Sequence, residues 1–107
     1  MTVRGKSISA KIDFRSINSA ALSVLPLLLM RWLPSGRREG REWVALNPKR
    51  ADHRLGSFRV NIVTGRWSDF ATGDVGGDAI SLAAYLFDLE QAQAARRIAG
   101  MLGISLQ

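Results

Sequence analysis

Residues 56–82 constrain the fold most, because they combine two strand-like segments, a tight turn, a glycine-rich loop and the start of a helix. In the first segment apolar and polar residues alternate, which is the period of a strand with one buried face. Its apolar members are Phe58, Val60 and Ile62. Thr64 and Gly65 then predict a two-residue hairpin turn, since glycine tolerates a positive φ. Residues 66–70 are predicted to return as the second strand.

Alternation along this hairpin also predicts which side chains share a face. Trp67 and Asp69 should lie on one face of the returning strand, and Ser68 and Phe70 on the other. Arg59 alternates with the apolar residues of the first strand, so we expect its side chain to point to solvent.

A glycine-rich loop, residues 71–78, precedes two predicted helices. Asp78 stands where the N-cap of a helix over residues 78–87 is expected. An amphipathic helix over residues 90–102 should follow, with Gly103 as its left-handed C-cap. The polar and glycine positions expected to shape the loop are Asp69, Gly73, Asp74, Gly76, Gly77 and Asp78.

The Gly76-Gly77 pair has two interpretations. Backbone N–H groups beside a helix N-terminus can cradle a phosphate. The favoured interpretation is a tight strand-to-helix turn, because no Gly-Lys-Ser/Thr motif follows the glycines.

Residues 1–40 are predicted to form a basic arm and a helical head. Asp13 can cap a helix whose apolar residues recur at helical spacing from Phe14 onwards. Pro26 either ends or kinks this helix or starts a second one. The nearly all-apolar residues 27–33 should be mostly core, although Trp32 and Leu33 are alternatively an exposed partner surface.

The remaining segments complete the predicted architecture. Residues 34–40 read as a basic loop between head and sheet, and residues 41–46 as a further strand. Residues 47–54 should be a basic loop, because Pro48 lacks a backbone donor. We therefore predict an α+β fold, with a small antiparallel sheet of about three strands packed against N-terminal and C-terminal helices. The head (1–40) and the sheet with two C-terminal helices (41–107) should make one compact domain. The predicted core aromatics and aliphatics are Trp43, Phe58, Val60, Trp67, Phe70, Ile80, Tyr85 and Ile98.

Several short runs carry a resemblance to a known family. They are Gly56-Ser-Phe, Trp67-Ser-Asp-Phe, Gly76-Gly-Asp-Ala-Ile-Ser-Leu82, Ala94-Ala-Arg-Arg-Ile98 and Leu102-Gly-Ile104. With these runs the chain resembles the N-terminal zinc-ribbon domain of DnaG-type DNA primases. It is more similar still to the cysteine-free form of that module at the head of phage and plasmid primase-like (primase-helicase) proteins. The similar region is roughly residues 41–104, and more of the chain if the cysteine-free relatives share its first helix.

The chain departs from that family at the metal site. In the family a Cys and a His precede the first strand of the hairpin, and two Cys follow the second strand. The first pair corresponds here to residues 47–53, and the second pair to Asp69 and Thr72. With no cysteine and one histidine, His53, the chain cannot assemble a tetrahedral sulfur and nitrogen site. We therefore predict a metal-free, zinc-ribbon-like sheet without any cofactor. Aromatic packing and loop hydrogen bonds, with the Asp69 and Asp74 carboxylates accepting backbone N–H groups, should replace the metal.

The carboxylates of this region are an alternative ligand set for a harder cation. They are Asp52, Asp69 and Asp74, together with His53. Their positions show none of the spacing of a metal-binding loop.

Positive charge is concentrated in the first two thirds of the sequence. The net charge is +6, and residues 1–66 hold thirteen Lys and Arg against four Asp and Glu. Such a charge asymmetry is typical of a protein that binds a polyanion with one face. Many basic proteins, however, are soluble and bind no polyanion. The candidate nucleic-acid contacts are Arg37, Arg38, Arg41, Lys49, Arg50, Arg54, Arg59, Arg66 and Trp67. Trp67 would stack on bases if exposed, or else belong to the core.

Two function classes remain. The first is a module that grips single-stranded DNA, or RNA, without sequence preference. The second is a protein-interaction or accessory domain of a phage or plasmid replication protein without DNA contact. For either class, a replication helicase or a primase catalytic domain is a further candidate partner. A lone histidine and the lack of cysteine leave no convincing catalytic set, so we expect no enzyme activity from this chain by itself. The sequence offers no membrane span, secretory leader or small-molecule site, and we expect a cytoplasmic protein.

Overall fold

Five short antiparallel strands form one sheet in sequence order. They are β1 (Arg37–Glu39), β2 (Glu42–Ala45), β3 (Phe58–Asn61), β4 (Trp67–Asp69) and β5 (Asp74–Gly76). The structure is a computed structural model that describes residues 12–50 and 55–104. The three predicted strands are β2, β3 and β4, and the expected count of about three was low by two. The two additional strands, β1 and β5, have three residues each and lie at the edges of the sheet. They fall within residues 34–40 and 71–78, which the sequence predicted to be loops.

Four helices accompany the sheet, and their ends follow local signals. They are α1 (Phe14–Ser23), α2 (Leu25–Trp32), α3 (Ala79–Phe87) and α4 (Gln91–Leu102). Asp13 and Asp78 cap α1 and α3 by accepting N–H groups of the first turn, and Gly103 ends α4 at a φ of 71°. Pro26 lies in the first turn of α2, so it starts a second helix. None of the helices in the described ranges is long and apolar enough to span a membrane.

The inner face of the sheet carries the core and is covered by α3. Phe58, Val60 and Trp67 are buried there, as their alternation predicts. Tyr85 of α3 lies on this face, with its ring centroid 4.7 Å from that of Trp67 and 6.2 Å from that of Phe58. The sheet and the helices therefore share one hydrophobic core.

The outer face of the sheet includes Phe70, which the core prediction placed wrongly. Phe70 is 75% exposed. It follows Asp69 in the alternation and so lies on the same side as Ser68, which no helix covers in the described part of the chain. The face predicted from alternation was correct, and the core assignment was not.

Two hydrogen bonds fasten the helical head to the rest of the chain. The Asn18 side chain accepts the Ile80 N–H at 3.0 Å, and the Trp43 indole N–H donates to the Leu33 carbonyl at 3.1 Å. The pairing of β1 with β2 also links residues on both sides of position 40, where the predicted head ends, since Arg38 of β1 lies opposite Trp43 of β2.

The loop between β3 and β4 is longer than the predicted two-residue turn. Oδ1 of Asn61 accepts the N–H groups of Val63 at 2.8 Å and Thr64 at 3.0 Å, which holds residues 62–66 as a wider loop. Gly65 does adopt a positive φ, +83°. The positive φ expected at Gly65 is therefore confirmed, although the turn that contains it is longer than the predicted one.

Candidate nucleic-acid interface

A shallow groove of about 570 Å³ crosses the outer face of the sheet near β5. Its polar and charged walls include Glu42, Arg59, Asn61, Arg66 and Ser68, with Val75 and Gly77 at the β5 side. It lies where the hairpin arginines were expected.

Arg59 lies on this face as its alternation predicts, but it does not extend freely into solvent. Its Nη1 is 2.8 Å from Oε1 of Glu42, and its Nε donates to the Gly56 carbonyl at 2.9 Å. Glu39 places a second carboxylate oxygen 3.9 Å from the same Nη1. The side chain is 30% exposed, so the charge of Arg59 is largely balanced within the sheet.

Arg41 and Arg66 are the exposed cations at one end of the sheet. The Ile62 N–H donates to the Arg41 carbonyl at 2.8 Å, which brings the β1–β2 turn beside the β3–β4 loop. Neither guanidinium forms an ion pair with any residue that the structure describes. These two residues therefore offer positive charge to an incoming phosphate without first breaking an ion pair within the described part of the chain.

The two arginines of β1 are engaged locally. Arg37 pairs with Glu39 at 2.9 Å, and Arg38 Nε donates to the Gly40 carbonyl at the same distance. Arg38 lies on the side of the sheet that carries Trp43. The predicted set is thus divided between the two faces of the sheet.

Lys49 and Arg50 lie at the opposite end of the sheet from Arg66. Lys49 Nζ forms an ion pair with Asp88 and stands 5.4 Å from the ring centroid of Tyr85. Arg50 Nη1 is 3.5 Å from Oδ2 of Asp69. They do not join Arg59 on the outer face, and Arg54 lies outside the described residues.

Trp67 is buried, so the interpretation of this residue as a base-stacking side chain is wrong. It is 5% exposed, and its indole N–H donates to the Ser81 hydroxyl at 2.9 Å. A buried ring has no free face for a base. The exposed apolar side chains on the outer face are instead Phe70 and Val75, which are 75% and 70% exposed.

A polar cluster made of Asn47, Asp69, Asp74 and Tyr85 joins the loop after β2 to the strand ends on either side of the β4–β5 turn. We call it the buried polar cluster because its centre, Asn47 and Asp69, is buried, although Asp74 is exposed. The Asn47 amide donates to Oδ2 of Asp69 at 2.8 Å and to the Tyr85 hydroxyl oxygen at 2.9 Å. The Tyr85 hydroxyl in turn donates to Oδ2 of Asp74 at 2.7 Å. Asn47 and Asp69 are both fully buried. The cluster therefore closes this end of the sheet with hydrogen bonds.

Burial and hydrogen bonding act against each other on the Asp69 carboxylate. Burial alone would raise the pKa of Asp69, but hydrogen bonds from Asn47, from the Ala71 N–H and from Ser57, with the nearby Arg50 charge, hold it below its ordinary value. For Tyr85, burial is the main reason that its pKa is raised, and the Asp74 carboxylate adds to the effect. Asp69 is thus an ionised acceptor at neutral pH, and Tyr85 a neutral donor.

The buried polar cluster joins the two segments to which the family resemblance assigns metal ligands. Asp69 accepts the Ala71 backbone N–H at 2.8 Å, as expected, whereas Asp74 accepts a side-chain hydroxyl rather than the expected backbone group. Residues 12–50 and 55–104 contain no group of three or more His, Cys, Asp or Glu able to hold a metal ion. Asp52 and His53 lie outside these ranges, so the absence of metal stays a prediction.

Sequence reasoning missed Asn47 and the polar role of Tyr85. One local signal for Asn47 existed, since Asn before proline favours a turn, and its Oδ1 accepts the Lys49 N–H at 2.9 Å. Nothing local reveals that its amide meets Asp69, because that contact depends on how the strands pair.

The glycines of the predicted loop differ in what they require. At Gly76 a Cβ atom would lie 2.6 Å from Ser81 Oγ and closer still to the Trp67 indole, whereas at Gly77 it would meet nothing within 4 Å. Gly73 has a φ of +83°. Gly76 is therefore required by close packing, and the backbone at Gly77 has no positive φ that would demand glycine.

Comparison with solved structures shows what this arrangement resembles. The chain is similar to a crystal structure of the Aquifex aeolicus primase (zinc-binding and RNA polymerase domains), with a TM-score of 0.68 and 21% identity. The similarity covers 91% of this chain and 23% of that chain. The chain therefore has a primase-like fold and spans about a quarter of the primase chain it matches. No family model and no curated protein matches the sequence.

Proposed function

We propose that this chain is a nucleic-acid-binding module of a primase-like replication protein, of the cysteine-free kind seen in phages and plasmids. It holds single-stranded DNA on the outer face of its sheet, without strong sequence preference and without catalysing a reaction by itself. The observation that carries the proposal is a sheet face, with no helix over it in the described part of the chain, that has exposed arginines near one end and an exposed aromatic ring at the other end.

The cations supply the electrostatic part of this binding. Arg41 and Arg66 are exposed at one end of the sheet and have no ion-pair partner among the described residues. Each phosphate that such a cation neutralises releases a counterion and contributes about 0.7 to the dependence of log affinity on log salt. This contribution is independent of base sequence.

Phe70 supplies the second part. Its ring is 75% exposed on the outer face, and Val75 lies one strand away, opposite Ser68. Stacking of a base on an aromatic ring contributes about 1–3 kcal/mol and tolerates any base. Cations and an aromatic platform on one face are the combination that general single-strand binders use.

One observation favours a second candidate function, an accessory domain that contacts replication proteins and not DNA. Glu42 and Glu39 neutralise Arg59 and Arg37 on the same face. If these carboxylates dominate the local field, the sheet repels phosphate and its exposed apolar groups bind protein.

A salt titration distinguishes the two functions. Binding of a fluorescent oligothymidylate is followed by anisotropy for the parent, for Arg41→Ala/Arg66→Ala, and for Arg96→Ala/Arg97→Ala. The control pair lies exposed on α4 and removes the same charge. We expect the first variant to lower the salt slope by more than about one unit and the control to leave it nearly unchanged. No parent binding at low salt, or equal losses in both variants, would contradict the proposal and favour the accessory function.

A further inference from the structure

A second concave surface lies on the helical side of the molecule, between α2, α3 and α4. This helical groove has a volume of about 350 Å³. Its walls include Arg31, Trp32, Phe87, Leu89, Arg97 and Met101. Trp32 and Phe87 meet edge to face across α2 and α3, with ring centroids 6.0 Å apart. Because α3 covers the inner face of the sheet, the helical groove and the outer sheet face lie on different sides of the molecule.

Large apolar side chains remain exposed at this groove and beside it. Phe87 and Met101 are each 42% exposed, and on α2 Leu27 and Met30 are 66% and 56% exposed. Leu27 lies one helical turn before Arg31, so it extends the apolar surface along the same side of α2. Contiguous exposed apolar groups mark interaction sites, and methionine adapts its shape to different partners.

The charge of the groove selects among partners. Arg31 and Arg97 line it, and no Asp or Glu does. Neither arginine forms an ion pair with a residue that the structure describes. Residues 1–11 carry Arg4, Lys6 and Lys11 and no carboxylate, so like charge disfavours this segment as the occupant. The complementary ligand is apolar along one face and acidic at its flanks.

We propose that the helical groove binds an amphipathic helix of a partner protein, with apolar anchors at i, i+4 and i+7 and Asp or Glu beside them. The apolar anchors pack on Trp32, Phe87 and Met101, and the carboxylates pair with Arg31 and Arg97. This is the helix-in-groove mode of recognition. It leaves the outer sheet face free, so the protein binds a nucleic-acid strand and a partner helix at the same time.

The test uses two synthetic helical peptides with Leu and Phe at the anchor positions, one with Glu and one with Lys at the flanks. Fluorescence anisotropy measures their binding to the full chain. We expect the Glu peptide to bind about tenfold more tightly than the Lys peptide, and Arg31→Glu/Arg97→Glu to invert this preference. Met101→Ser should weaken the Glu peptide severalfold. Arg41→Ala/Arg66→Ala is the matched control on the sheet side and should leave peptide binding unchanged.

Several outcomes would overturn the proposal. One is no binding of either peptide up to about 1 mM, and another is equal binding of both peptides by the parent. Displacement of the bound peptide by oligothymidylate would show that the groove is part of a nucleic-acid surface. Self-association of the parent that is lost in Met101→Ser, measured by sedimentation, would show that a second copy is the occupant. Since the groove variants do not touch the outer sheet face, failure here leaves the DNA-binding proposal to its own test.

Discussion

The Asn47 amide donates a 2.8 Å hydrogen bond to the Asp69 carboxylate, and both side chains are fully buried. The sheet brings the two residues together at one end, where Asn47 follows β2 and Asp69 ends β4. In the zinc ribbon that the sequence resembles, the corresponding segments carry the metal ligands. Here an amide, two carboxylates and a phenol make the connection, and loss of a partner is costly for the two buried members, Asn47 and Asp69.

Replacing Asp69 with Ala should therefore destabilise the protein. The Asn47 amide and the Ala71 N–H would lose their acceptor, and an unsatisfied buried polar group costs about 1–3 kcal/mol. Urea denaturation measures the change in free energy of unfolding. Asp88→Asn is the control, because that carboxylate is 81% exposed, its pair with Lys49 is a surface ion pair of small value, and asparagine tolerates the left-handed backbone at residue 88. Equal stability of the two variants would show that the buried polar cluster adds nothing.

The lowered pKa of Asp69 predicts how stability changes in acid. A carboxyl whose pKa is lower in the folded state than its ordinary 3.8 stabilises the fold fully above that value, and the contribution disappears as the pH falls through the folded pKa. We therefore expect parent stability to fall below about pH 4, and the Asp69→Asn variant to be less stable at neutral pH but flatter in acid. Urea denaturation between about pH 2 and 7 tests this. A parent and a variant with parallel profiles would contradict the assignment.

Asp13 provides the comparison for that experiment. Its pKa is also lowered, mainly by the hydrogen bond from the Ser16 hydroxyl, and it is exposed at the start of α1. Asp13→Asn should flatten the acid profile less than Asp69→Asn, because solvent screens an exposed carboxylate.

Gly76→Ala should destabilise the protein, whereas Gly77→Ala should not. At Gly76 the added methyl group collides with the Trp67 indole and the Ser81 hydroxyl, and overpacking of this kind costs about 1–3 kcal/mol. At Gly77 the space is open and the change should stay within about 0.5 kcal/mol. Thermal unfolding of the two variants, side by side, checks the expectation. A larger loss at Gly77 would indicate a backbone or ligand requirement there.

Phe70→Ala should weaken single-stranded DNA binding without harming the fold. Removal of an exposed ring that stacks on a base loses about 1–3 kcal/mol of binding free energy. Anisotropy titrations give the affinity, and thermal unfolding verifies stability. Phe14→Ala, an exposed phenylalanine on α1, is the matched control. If both variants bind like the parent, the base platform is not Phe70.

Glu42→Gln should strengthen DNA binding. The substitution removes a negative charge from the outer face and releases Arg59 from its 2.8 Å ion pair, so the salt slope should rise by about 0.7 if Arg59 then engages one phosphate. Glu90→Gln at the start of α4 changes the net charge equally and serves as the control. An unchanged or weaker affinity for the Glu42 variant would mean that phosphates do not approach this groove.

The parts of this fold that local chemistry decides were predictable, and those that depend on strand register were not. Capping predicts the helix ends at Asp13, Asp78 and Gly103. The alternation of apolar and polar residues along β3 predicts which face of that strand is buried. The edge strands β1 and β5 are three residues each and owe their conformation to pairing with a neighbour. Likewise, Arg59 contacts Glu42, which is seventeen residues earlier in the sequence, only because β2 and β3 pair in this register.

The strand order also has a kinetic meaning. Each strand pairs with its neighbour in sequence, so the sheet can assemble one hairpin after another with modest loop-closure entropy. The head helix α1 must instead reach the first turn of α3, where Asn18 meets Ile80 across 62 residues. The rate of folding should therefore be set by the arrival of this N-terminal helix, and amides of the sheet should gain protection from hydrogen exchange before the Ile80 amide does.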